Sequence, residues 1–95
     1  MERNVTVVVS GVRQAGTLVD THPLTLTTNS DGDQEGSAPI DITDPVSLVV
    51  SMADEAGAAF TIDLTVESLG SVTRKGKLKD DFARRQFDIP FSEFE

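Results

Sequence analysis

The chain contains no cysteine, no tryptophan and no tyrosine, and a single histidine. The missing cysteine excludes disulfides and thiolate zinc sites as sources of stability, and leaves the redox compartment open. Aromatic character rests on five phenylalanines, and 38% of the 95 residues are apolar. That combination suits one domain over residues 1–95 with a thin two-layer core, not a deep enclosed cavity. No apolar run approaches the roughly 20 residues that a bilayer-spanning helix needs. The opening residues, MERNVTVVVSG, show no basic segment followed by an apolar helix, so no secretory signal is read there. The expectation is a soluble protein with no membrane partner, cytoplasmic by default.

Positive charge is scarce too. Eight Lys and Arg stand against sixteen Asp and Glu, for a net charge of −8. This weighs against nucleic-acid binding and favours solubility or a basic protein partner. The imbalance is local: residues 1–70 carry eleven acidic and two basic side chains, whereas residues 71–95 carry five and six. Arg74, Lys75, Lys77, Lys79, Arg84 and Arg85 form the one basic cluster. No stacking aromatics are interleaved with it, so it reads as strand-face charge that blunts an edge against aggregation.

Catalytic motifs are absent as well. The sequence has no glycine-rich phosphate loop, no zinc spacing and no Gly-x-Ser-x-Gly elbow. His22, in Asp20-Thr21-His22-Pro23, has no second histidine or nucleophile at a recognisable spacing. It is read as a polar residue before a strand bulge, and no catalytic residue is assigned.

What the chain does have is alternation. Val46, Leu48, Val50 and Met52 interleave with smaller or more polar neighbours, as do Phe60, Ile62, Leu64 and Val66. Period two marks strands with one buried face. Counting across Glu55-Ala56-Gly57 as a turn, with Gly57 left-handed, predicts a hairpin. It pairs Met52 with Phe60, Val50 with Ile62, Leu48 with Leu64 and Val46 with Val66. A second turn at Leu69-Gly70-Ser71 predicts Ser68 opposite Val72, Ile62 opposite Leu78, Asp63 opposite Lys77 and Gly76 opposite Leu64. Opposite charges facing each other across strands favour that register.

Elsewhere, Val5, Val7 and Val9 predict a buried first strand, with a turn over Gly11–Gly16. Residues 17–21 and 23–28 follow as two short strands, Pro23 marking an edge or bulge. Asn29–Gly36 reads as a loop, and Ala38–Thr43 as a short edge strand. One helical turn capped by Asp80 is expected over Phe82–Arg85. A last strand follows through Phe87, Ile89 and Phe91, with Pro90 setting it at an edge. Phe94 either packs back or anchors a partner. The sum is an all-β fold with little or no helix. It is an antiparallel β-sandwich of six to seven strands, immunoglobulin-like or jelly-roll-like.

One loop carries oxygen ligands in series. Asn29, Asp31, Asp33 and Glu35 fall on every second position, with Asp41 beyond them and Asp20 and Asp44 in neighbouring loops. Calcium takes six to eight oxygens. The helix–loop–helix calcium pattern fails, because Gln34 and Ile40 stand where glycine and glutamate belong. The functional expectation is a small acidic, non-enzymatic protein-interaction or structural module. It would bind a protein partner, or itself, through an edge strand or end loops. The alternative is a calcium-dependent binding module built on residues 29–44.

Overall fold

The computed structural model describes residues 2–95. Nine strands run β1 (Glu2–Ser10), β2 (Gln14–Val19), β3 (His22–Leu24), β4 (Thr27–Thr28), β5 (Gln34–Asp41), β6 (Val46–Ala53), β7 (Ala59–Val66), β8 (Gly70–Lys77) and β9 (Phe82–Ile89). A 3-10 turn, Phe91–Glu93, is the only helical element among the described residues. Every strand pairing is antiparallel, in two sheets ordered β4-β5-β1-β7-β8 and β3-β2-β6-β9. The protein is an all-β sandwich. Its strands exceed the expected six or seven because the segment after Val19 breaks into the very short β3 and β4.

The core follows the alternation. Val5, Val7 and Val9 from β1, Val46, Leu48, Val50 and Met52 from β6, and Phe60, Ile62, Leu64 and Val66 from β7 are all buried. The hairpin is corrected, however. β6 pairs with β2 and β9, whereas β7 pairs with β1 and β8. Thus Met52 and Phe60, and the three pairs below them, enter one core from opposite sheets. Alternation states which face is buried. It does not state whether two buried faces lie side by side or confront each other. The turn itself keeps its chemistry, with Gly57 at φ +90 and Ala58 N–H bonding the Glu55 carbonyl at 3.1 Å. Three more bonds clip this arch to the one between β8 and β9: Gly57 N–H to Leu78 O, Leu78 N–H to Ala58 O and Asp54 N–H to Asp81 O, at 2.8, 2.9 and 3.1 Å.

The β7–β8 register also differs, by four residues. Asp63 lies opposite Thr73, not Lys77, and Gly76 opposite Phe60, not Leu64. A four-residue slip keeps every side chain on its own face, so alternation cannot detect it. Packing selects the observed register. It sets buried Val72 against buried Leu64 and lets the Phe60 ring lie over Gly76, where a Cβ would meet the ring at 2.6 Å. Asp63 accepts a hydrogen bond from the Thr73 hydroxyl at 2.6 Å in place of the expected ion pair.

Three further expectations shift. β2 begins at Gln14, inside the predicted turn. β5 is an eight-residue strand starting at Gln34, and it lies between β4 and β1. Phe82–Arg85 is strand, not helix. Asp20 ties this arrangement together. Its carboxylate accepts the Thr43 and Ser47 amides at 2.7 and 2.8 Å, joining the β2–β3 turn to the start of β6.

A candidate protein-binding edge

Each sheet ends in one short and one long strand. The short edges are β4, with two residues, and β3, with three residues including Pro23. The long edges, β8 and β9, have eight residues each and flank the same open side of the sandwich. These two carry the backbone groups available to a partner.

The direction of those groups follows from one bond. Asp54 N–H donates to Asp81 O, and antiparallel ladders bond at alternate pairs. So Ala83, Arg85, Phe87 and Ile89 direct their backbone groups at β6. Phe82, Arg84, Gln86 and Asp88 present theirs at the free edge. The latter four also carry the exposed side chains of the strand. Phe82 is 58% exposed, the one large apolar side chain so placed among the described residues. It borders a cleft of about 420 Å³ lined by Gln14, Gly16, Leu26, Ser51 and Ala53. Beside it the outer face of β2 and β6 bears Leu18, Val49, Ser47 and Ser51, without a charge.

The inner face of β9 departs from an apolar strand at one position. Arg85 stands between Ala83 and Phe87, half-buried at the seam between the sheets. Arg74 enters the same seam from β8. Its guanidinium lies 5.9 Å from the centre of the Phe87 ring and 2.7 Å from the Glu93 carboxylate. Inward-pointing charges on edge strands work against further strand addition, and Arg85 is the one such guard within β9. They also explain why the sequence hid this strand: with Arg84 and Arg85 adjacent, Phe82–Gln86 shows no alternation.

β8 offers less. The chain end turns back onto it, with Ser71 N–H bonding Glu95 O at 3.0 Å and Glu95 N–H bonding Ser71 O at 3.2 Å. Phe94 packs into the core behind that bridge, as one of its two expectations held. Lys75 and Lys77 project from the outer face of β8, while Lys79 lies past its end. The lysines face Thr61 and Ala59, not carboxylates.

The acidic loop is organised by its own asparagine. Asn29 Oδ1 accepts the amides of Asp31 and Asp33 at 2.9 and 3.0 Å, and its Nδ2 donates to Glu35 at 3.0 Å. Glu35 already belongs to β5, and Asp41 ends that strand, seven residues' rise from Gln34. The five proposed ligands are therefore not gathered, and the described residues hold no cluster of three or more His, Cys, Asp or Glu placed around a common point. Asp20 is committed to Thr43 and Ser47, and Asp44 to the Phe91 amide at 3.0 Å. His22 is exposed, its Nδ1 2.9 Å from the main-chain oxygen of Asp20. No helix of the described residues is long and apolar enough to cross a membrane. No known protein family, curated protein or solved structure matches the chain.

Proposed function

We propose that the protein is a non-enzymatic interaction module that recruits an extended segment of a protein partner to the free edge of β9. The observation that carries this reading is the row of outward backbone groups at Phe82, Arg84, Gln86 and Asp88, with no strand beyond them among the described residues. Strand addition draws affinity from such groups and specificity from alternate side chains. Phe82 suits an apolar side chain at one end of the added segment, and Arg84 suits an acidic one near its middle. Chemistry is a poor match for the same surface. His22, the natural proton carrier, holds a main-chain carbonyl on the far edge of the sheet.

The test is an amide ¹H–¹⁵N titration with the peptide KVTVDVL, which laid antiparallel sets Leu, Asp, Thr and Lys opposite Phe82, Arg84, Gln86 and Asp88, at a dilute protein concentration. Shifts should centre on Phe82–Ile89 and on β6 behind it, and should vanish in Gln86→Pro. That substitution removes an outward amide the fold does not use. Arg84→Asp, which leaves the backbone intact, should weaken the peptide by about tenfold. An unmoved β9, or binding that survives both substitutions, overturns the reading.

A further inference from the structure

The sequence of β9 is complementary to itself. Outward lie Phe82, Arg84, Gln86 and Asp88; inward lie Ala83, Arg85, Phe87 and Ile89. Two such strands laid antiparallel about a twofold axis through Gln86 bring Arg84 opposite Asp88 of the second copy, and Asp88 opposite its Arg84. Gln86 then meets Gln86. On the inner face each Arg85 meets a Phe87, and each Ala83 meets an Ile89. Centring the axis one pair earlier or later loses this match. At Arg85 it sets two inward guanidiniums together; at Phe87 it leaves Arg84 facing Pro90. Centred on Arg84 or Asp88, it opposes like charges.

We infer that the segment which fits the β9 edge is β9 of a second copy of this chain, paired antiparallel and centred on Gln86. The inference rests on the edge-binding reading above and names its partner. The outward groups of Arg84, Gln86 and Asp88 are those that hydrogen-bond in this register, supplying about six main-chain bonds across the axis. Pro90 has no amide, so the ladder ends there. The joined sheet would run β3-β2-β6-β9 and back through the second copy in reverse. Its outer edges are then the three-residue β3 strands with Pro23, which resist further addition. Such a twofold contact is closed, so it stops at two copies. Arg85, the one charge inside the strand, gains an aromatic face to lie against.

The experiment uses the absence of cysteine. Gln86→Cys places one thiol on the axis, where a hydrogen-bonded antiparallel pair holds its Cα atoms about 5.5 Å apart, a gap that a short bis-maleimide linker spans. The linker should give a cross-linked dimer rapidly, while the control Ser37→Cys, on the outer face of the other sheet, should not cross-link. In sedimentation the unmodified chain should exceed its 10.2 kDa mass with rising concentration. Arg84→Asp and Asp88→Arg alone should each weaken the dimer by about tenfold or more. The double exchange should restore it. Amide exchange at Arg84, Gln86 and Asp88 should slow as the dimer forms. A monomer at millimolar concentration, a dimer indifferent to both charge reversals, or equal cross-linking at Ser37 overturns self-pairing. If self-pairing fails but KVTVDVL still shifts β9, the edge reading stands with a different partner. If neither occurs, both fall.

Discussion

β8 and β9 have equal length and flank the same open side of the sandwich, yet the fold treats them differently. β8 is closed down from three directions. The chain end bridges its first residues through Ser71 and Glu95, the Phe60 ring fills the space over Gly76, and Arg74 is tied to Glu93. Lysines cover much of what remains. β9 has only Pro90 at its end and an inward Arg85, and its four outward backbone groups stand clear. An edge strand exposes the same main-chain chemistry wherever it lies. What separates a guarded edge from an available one is the side-chain and tail packing around it.

The largest effect should come from removing the tail that guards β8. Phe94→Ala empties a buried aromatic site and should cost about 3 kcal/mol or more, by analogy with other buried Phe deletions. Denaturant melts should report that loss, and amide exchange at Ser71 should quicken as Glu95 is released. If Ser71 stays protected while stability falls, the tail bridge does not depend on Phe94.

Next comes the glycine beneath Phe60. Gly76→Val drives a branched side chain into the ring and should destabilise by about 1–3 kcal/mol. Gln86→Val at the exposed middle of β9 should stay within about 0.5 kcal/mol of the parent at concentrations where the chain is monomeric. Equal costs at the two sites, read from chemical melts, would erase the contrast between the edges.

A smaller change is expected at the seam. Arg74→Ala loses a partly exposed ion pair and a cation–ring contact, together about 1 kcal/mol. Added salt should recover little of it if the Phe87 contact dominates. Full suppression of the difference in 0.5 M salt would assign it to Glu93 instead. The smallest effect is calcium. With Asn29 Oδ1 already bonded to two amides, a millimolar calcium titration after chelator should leave the amide positions of residues 29–36 within noise. A saturable shift confined to that loop would favour the calcium-dependent module instead.

These contrasts show how far the sequence could be read. The buried sets Val46–Met52 and Phe60–Val66 were legible because burial on one face demands alternation. Gly57 was legible as a left-handed turn because that position needs a backbone that L side chains resist. Gly76 was read as leaving room opposite Leu64, whereas the residue that uses the room is Phe60. β9 was half hidden, since Arg85 occupies an inward position and interrupts the apolar pattern. The carboxylates of residues 29–35 suggested ligands by spacing alone, whereas their arrangement depends on Asn29, whose amide closes the loop on itself.

By itself, then, the sequence determined that the chain folds as strands, which side chains those strands bury, and where several of them turn. Only the tertiary structure decided that β6 and β7 belong to different sheets, that β8 sits four residues from its charge-matched register, and that β9 is the open edge. The reason is physical. Side-chain polarity repeats along the strand and fixes its faces, whereas main-chain hydrogen bonds are nearly indifferent to sequence. Partner and register are chosen by which long-range packing fills the core, and that choice leaves no periodic mark along the chain.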